Sequence, residues 1–235
     1  MPEEHDRLHP AFLQVSIFEG LSSSEIEAVS SHFQLKQLDD DTFLFHEDEE
    51  ATIFYLLLEG QVKIQQTTAE GFEVILHILG PGNIIGALPT LGEGTYPASA
   101  LTLGKVFVAF THAEVFHDIL EQYPRLTKNL LRFATRVVQT SHRKIRELAT
   151  ERVEQRIARA LSRLASQLGR QTEGGILLDF PLSRQDLAEM TGTTVFTVSR
   201  TLKQWERRGV LQLGRERIVI HSPHELIAIG EDLPS

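Results

Sequence analysis

Thr194, Thr197, Arg200, Lys203 and Arg207 recur at steps of three or four in TTVFTVSRTLKQWERR, with Ser199 and Arg208 beside them. If that stretch is a helix, the spacing gathers hydroxyls and cations onto one face. Such a face has the chemistry to donate to phosphate oxygens and base edges of a nucleic acid. An ordinary helical hairpin buried in a core would have no use for it. Past Gly209, VLQLGRERIVIH holds two short apolar-alternating runs around Gly214-Arg215-Glu216-Arg217, which predicts a hairpin with a basic tip.

These residues need a rigid support, and the stretch from Leu182 to Lys203, LSRQDLAEMTGTTVFTVSRTLK, supplies one. It reads as two short helices about a tight turn. Ser183 is placed to cap the first helix, and Asp186, three residues on, suits the positive end of its dipole. Leu187, Ala188 and Met190 supply the inward face, and Ala188 is small enough to let a second helix cross closely. Gly192 can take the positive φ that a sharp helix-to-helix turn demands, and Val198 plugs the space between the helices. This is the steric recipe of a helix-turn-helix, whose second helix is normally laid in the DNA major groove. With the basic hairpin after it, the whole reads as a winged helix-turn-helix.

The chain has 235 residues, 41% hydrophobic and 23% charged, an ordinary globular composition with room for one large or two modest domains. Zero cysteine excludes disulfides, thiolate switches and any cysteine-held iron–sulfur cluster. No apolar run approaches a membrane span, and Met1-Pro2-Glu3-Glu4 starts no basic-then-apolar leader, so no membrane partner and a cytoplasmic location are expected. The net charge of −9 is unevenly shared: residues 1–124 carry 4 Lys+Arg against 20 Asp+Glu, and residues 125–235 carry 19 against 12. The halves are therefore −16 and +7, and the basic half holds the helix-turn-helix. An acidic sensor joined to a DNA-binding module would show this asymmetry.

Taken in order, residues 1–10 are polar and contain His5 and His9 at a spacing that can share a metal on a helix face, with no third ligand nearby. Leu21 to Phe33 reads as a short amphipathic helix capped by Ser22 or Ser23. Between Leu35 and Phe110 come short strands: Phe43–Phe45, Ile53–Leu58, Val62–Ile64, Val74–Leu76 and Lys105–Ala109. Turn chemistry separates them at Asp39-Asp40-Asp41, Glu59-Gly60, Glu70-Gly71 and Gly80-Pro81-Gly82, which predicts an antiparallel barrel or jelly roll. His112 to Tyr123 is a short helix ended by Pro124. Arg125 to Thr150 then runs without Gly or Pro for a rod of about 39 Å. Leu126, Leu130, Phe133, Val137, Ser141, Ile145 and Leu148 form one narrow apolar stripe along it, suited to a second copy of the same helix; packing on the chain's own barrel is the alternative. A further helix ends at Gly169, Gln171 to Gly175 is a loop, Ile176 to Phe180 a strand, and Pro223 to Ile229 a closing helix. The expected architecture is α+β: a roll over 1–124, a dimerisation helix over 125–150 and a winged helix-turn-helix over 151–235.

Barrel, long helix and winged helix-turn-helix in that order resemble the CRP/FNR family of bacterial transcription regulators over nearly the full chain. The match is carried by Phe54-Tyr55-Leu56-Leu57-Leu58-Glu59-Gly60-Gln61-Val62-Lys63-Ile64, by Leu79-Gly80-Pro81-Gly82-Asn83-Ile84-Ile85-Gly86 and by Leu182 to Arg200. The resemblance implies a roll of the cyclic-nucleotide-binding type and a homodimer on a two-fold symmetric DNA site, with recognition helices ~34 Å apart. It further suggests activation through RNA polymerase, with Gln167 to Gly175 and Thr67 to Phe72 as exposed candidates; a repressor is the alternative. The family's cyclic-AMP receptors hold the ligand's phosphate with a Glu and an Arg-Ser pair; the matching positions here look like Ala87 after Gly86, and Pro97-Ala98 before Ser99. No basic residue lies between Gly82 and Leu103, and a buried phosphate without a countercharge is costly, so no cyclic-AMP binding is expected. Thr95 to Ala100 looks closer to the FNR-type branch, whose cysteine-held cluster this chain cannot build.

Three inputs stay open. One is an uncharged or acidic metabolite near Gly86, Ala87, Leu88, Pro97, Ala98 and Ser99 of the roll and Thr140, Ser141 and His142 of the long helix. Another is a haem or metal on His46, His77, His112 or His117, and the third is no effector at all. The family's base-reading string Glu-x-x-Ser-Arg is here Phe196-Thr197-Val198-Ser199-Arg200. Arg200 suits guanine O6 and N7, or a phosphate alone; Phe196 suits a thymine methyl, or packs inward. Ser199 can reach a base or a phosphate. Ser183, Arg184, Thr193, Thr194, Arg215 and Arg217 suit phosphates, and Thr197 and Lys203 share the helix face. An enzyme is not indicated: no His-x-His ligand cluster, Ser/His/Asp set or phosphate loop is present. A cyclic-nucleotide-dependent regulatory subunit would share the roll but lack the winged helix-turn-helix.

Overall fold

The computed structural model describes residues 10–92, 94–215 and 217–233; His5 and His9 lie outside them. The chain divides into two compact units, one of residues up to Ile64 with Leu79–Gln139, the other Gln65–Ile78 with Thr140 onward.

The first unit opens with α1 (Ser23–Ser30), capped by Ser22 through a capping box with Glu25. Next in chain order come β1 (Gln34–Leu38), β2 (Phe43–Phe45), β3 (Ile53–Thr67), β4 (Glu73–Leu79), β5 (Ile84–Ile85), α2 (Ala87–Thr90), β6 (Ser99–His112) and α3 (Ala113–Gln122), of which the end of β3 and β4 up to Ile78 fall in the second unit. The strands form one antiparallel jelly-roll-like sheet in the order β1-β6-β3-β4, with β2 on β6 and β5 on β3. The turn expected at Glu59-Gly60 is absent: β3 runs straight through it as one strand of 15 residues. Gly60 takes φ +83° there, and a Cβ on it would lie 2.4 Å from the Lys105 carbonyl, so the glycine serves close strand approach rather than a reversal. β1 is a strand that no periodicity announced, because its residues are mostly exposed.

Two apolar clusters fill this unit. Phe45 stacks on Tyr96 at 3.6 Å between ring centres, with Tyr55, Leu57, Val62 and Val106 around them. The Tyr96 hydroxyl donates to the Ile53 carbonyl at 2.7 Å, and burial pushes the Tyr55 hydroxyl up to about 12. The second cluster is a run of rings, Phe18, Phe12, Phe33, Phe54 and Phe116, joining the N-terminal segment to α1, β3 and α3.

α4 (Pro124–Thr150) is the long helix. Its apolar stripe is corrected in part. Leu126 and Leu130 are fully buried in the second cluster, with Phe133 packed against it, and Asn129 anchors the same turns by donating to the Ile17 and Glu19 carbonyls. Leu126 and Leu130 therefore belong to the chain's own core, while Phe133, half-buried, packs against it. Exposed instead are Leu131 (69%), Val138 (52%) and Ile145 (65%), at steps of seven, with Ser141 and Leu148 also exposed and Val137 half-buried.

The second unit follows with α5 (Val153–Leu168), β7 (Arg170–Thr172), β8 (Gly175–Leu178), α6 (Arg184–Thr191), α7 (Val195–Arg207), β9 (Leu211–Gly214), β10 (Arg217–Ile220) and α8 (Pro223–Gly230). The segment expected as a loop over Gln171 to Gly175 is a hairpin, and Gln167 sits in α5. β7 and β8 extend the wing into a four-stranded sheet of order β7-β8-β10-β9. Gly175, at φ +127° against the Ile220 carbonyl, lets the hairpin turn where a side chain would clash.

Candidate nucleic-acid interface

The Ser183 hydroxyl accepts from the Asp186 N–H at 2.9 Å while Asp186 Oδ2 accepts from the Ser183 N–H at 2.8 Å. This reciprocal cap starts α6, and Gly192 ends it in the left-handed conformation at φ +60°. Thr194 then caps α7, its hydroxyl accepting from the Thr197 N–H at 3.2 Å. Leu187, Ala188, Val198, Leu202 and Trp205 are buried between the two helices and α5. Burial of these residues on one side of α7 turns Phe196, Arg200, Lys203 and Arg207 to solvent.

Three polar contacts fix how α7 is presented. The Arg156 guanidinium, on α5, donates to the Thr191 and Gly192 carbonyls at 2.8 and 3.3 Å and to the Glu151 carbonyl at 2.8 Å. Trp205 Nε1 donates to Glu154 at 3.1 Å. The Leu213 N–H donates to Glu206 at 2.9 Å and ties the wing to the end of α7. None of these was read from the sequence, since a lone Arg or Glu on an amphipathic helix gives no sign of its tertiary partner.

Arg184, Arg200, Lys203, Arg207, Arg215 and Arg217 are exposed, and among the described residues none has a hydrogen-bond or ion-pair partner. Arg208 differs, being paired with Glu225. Ser183 and Thr194 are exposed at the two helix starts, Thr193, Thr197 and Ser199 are half-buried, and Phe196 is 75% exposed rather than packed inward. The arrangement presents donors and cations along one helix, at two helix starts and at a hairpin tip, with a large apolar ring among them.

The positions singled out in the roll are engaged in structure. Gly86 takes φ +78°, and a Cβ there would meet the Tyr96 ring at 3.0 Å; Ala87 and Ala98 are buried, Leu88 and Pro97 exposed. Ser99 Oγ accepts from the Glu47 N–H at 2.8 Å. Thr140 and Ser141 belong to the second unit. His46 lies against the Phe43 ring at a tilt of 33°, His117 Nε2 hydrogen-bonds with the Thr90 carbonyl at 2.9 Å, His112 occupies the N-cap position of α3 with no side-chain cap bond, and His77 is largely buried on β4. Among the described residues, no three or more of His, Asp and Glu converge as metal ligands, and no helix is long and apolar enough to cross a membrane.

A jelly-roll-like domain, a long helix and a winged helix-turn-helix, in this order, define a DNA-binding regulator with an appended jelly-roll domain. Residues 35–123 match the cyclic nucleotide-binding domain and residues 155–229 the Crp-like helix-turn-helix domain, and the chain belongs to the CRP/FNR family of transcription regulators. It is 25% identical over 213 residues to the CRP-like cAMP-activated global transcriptional regulator of Mycobacterium tuberculosis, covering 91% of this chain and 95% of that one. The cyclic AMP receptor protein of Thermus thermophilus is 28% identical over 198 residues, 84% of this chain and 88% of the other. The structure of FixK2 from Bradyrhizobium japonicum superposes with a TM-score of 0.76 at 20% identity, covering 84% and 96% of the two chains.

Proposed function

We propose that this regulator works as a homodimer that reads a two-fold symmetric promoter site through α7 and activates transcription without responding to cyclic AMP. The observation that carries the reading is the outward row Phe196, Arg200, Lys203 and Arg207, whose cations lack partners among the described residues. Arg200 donates to guanine O6 and N7, Ser199 reaches a neighbouring base or phosphate, and Phe196 lies against a thymine methyl. Ser183, Arg184, Thr193, Thr194, Thr197, Lys203, Arg215 and Arg217 hold phosphates and set register. The copies pair along α4 through Leu131, Val138, Ser141, Ile145 and Leu148, a seven-residue repeat of the kind two parallel helices bury together.

Independence from cyclic AMP rests on chemistry in the roll. Ala87, Pro97 and Ala98 offer no charge to a phosphate, and the stacked Phe45 and Tyr96 rings occupy the space beside Gly86. Activation through RNA polymerase is proposed by analogy with the family, and a cytoplasmic location goes with the proposed role on DNA. The turn with Phe72, 70% exposed, is a surface available to polymerase. Selection of bound fragments from random DNA by the purified protein, with and without cyclic AMP, tests the proposal. Two-fold symmetric sites, the same under both conditions, are expected; asymmetric sites, or binding only with cyclic AMP, contradict it.

A further inference from the structure

Within the second unit, β4, α4 and α5 line a partly open cavity of about 50 Å³ with Met190 of α6 at its edge. Its charged lining is out of balance: Arg143, Lys144 and Arg163 face it together with a single carboxylate, Glu147. That carboxylate, 3% exposed, is already occupied, because Arg163 Nη1 donates to both of its oxygens at 2.8 Å. Lys144 points inward and its Nζ donates to the Ile75 carbonyl at 2.7 Å and the Leu76 carbonyl at 3.1 Å. Both acceptors are neutral, and an ammonium has a third N–H to give. Arg143 has no partner among the described residues.

A cation taken out of water recovers its hydration only from a countercharge or a full set of acceptors. Lys144 has neither, and burial followed by repulsion from Arg163 pushes it down to about 8, against a pull from Glu147. His77, on the cavity wall, is pushed down to about 4 by burial, then by Lys144 and Arg163. At neutral pH it is an uncharged polar wall and adds nothing to the imbalance.

We propose that this cavity binds a small oxyanion, a phosphate or carboxylate group, with Lys144 and Arg143 as its direct ligands and Arg163 supplying field from behind its pair with Glu147. The volume accommodates a few water molecules or one compact oxyanion and is far too small for a nucleotide. The site is separate from the roll positions Gly86 to Ser99; of the input positions read from the sequence, Thr140 and His77 line it. An anion there would draw β4, α4 and α5 together beside α6, and so couple occupancy to the placement of the helix that follows.

The test is calorimetric titration of the full-length protein, free of DNA and at fixed ionic strength, with inorganic phosphate in one arm and oxalate in the other. Saturable binding of one anion per chain is expected in at least one arm. It should weaken by about tenfold or more in Lys144→Met and persist in Arg200→Ala. Phosphate alone would assign a phosphate group, oxalate alone a carboxylate. Should Lys144→Met fail to fold by circular dichroism, Arg143→Gln, at an exposed position, carries the comparison with an expected loss of about threefold or more. The proposal is overturned by no saturable binding in either arm, by equal affinity in wild type and the cavity variants, or by loss in Arg200→Ala with retention in Lys144→Met. Because DNA is absent from the titration, failure here leaves the reading of α7 untouched.

Discussion

Arg200 stands exposed at the centre of the row on α7, two residues past the fully buried Val198. If it reads a guanine, Arg200→Ala costs about 1 to 3 kcal/mol on the specific site and relaxes one base position. Arg215→Ala, at the wing tip, should weaken specific and random DNA alike and lower the salt slope by about one. Equal losses on both DNAs for Arg200→Ala in a gel-shift titration would remove its base-reading role. His77 makes a different prediction. Its imidazole is pushed from 6.5 to about 4 in the fold, so between those values the unfolded chain binds the proton that the folded chain refuses. Stability drawn from the neutral ring is complete above pH 6.5 and is lost as pH falls toward 4. Thermal melts at about pH 7 and pH 5 should show wild type losing more than His77→Gln; parallel losses contradict the buried, neutral imidazole.

Among elements, the helix-turn-helix was the most legible, because its determinants are local: a cap at Ser183, a left-handed turn at Gly192 and a small residue at Ala188 each act within a few residues. Removing the cap with Ser183→Ala should cost about 1 kcal/mol of unfolding free energy, read from a denaturant midpoint. An unchanged midpoint would show that Asp186 alone suffices. α4 was half legible. Periodicity announced a helix, but Leu126 and Leu130 look like seam residues until the Phe12–Phe116 cluster claims them. The repeat Leu131, Val138, Ile145 was readable as a strict seven-residue step, and the longer stripe hid it. Gly60 misled for a related reason: a glycine after a charged residue marks a turn or a close strand approach equally well, and only the Lys105 carbonyl on β6 decides which. The lining of the Lys144 cavity comes from four elements, β4, α4, α5 and α6, so although Thr140 and His77 were singled out in the sequence, nothing there signalled that Arg143, Lys144, Glu147 and Arg163 join them.

At the scale of the whole molecule, the −16 of residues 1–124 and the +7 of residues 125–235 make the acidic part repel a duplex and the basic part attract it, which confines DNA to one region of the chain. The proposed pairing through α4 would place two basic faces on one duplex. Charge placed on the seam should undo this: Val138→Glu with Ile145→Glu is expected to give a monomer in sedimentation velocity, with the roll's fold unchanged by circular dichroism. A dimer that survives both changes would move the interface elsewhere. The most direct measurement is the stoichiometry and affinity of the full-length protein on a two-fold symmetric site from the selection, by sedimentation of the complex. Two chains per duplex, with affinity falling steeply when one half-site is scrambled, are predicted. One chain per duplex, bound as tightly to the scrambled DNA as to the intact site, would contradict the account.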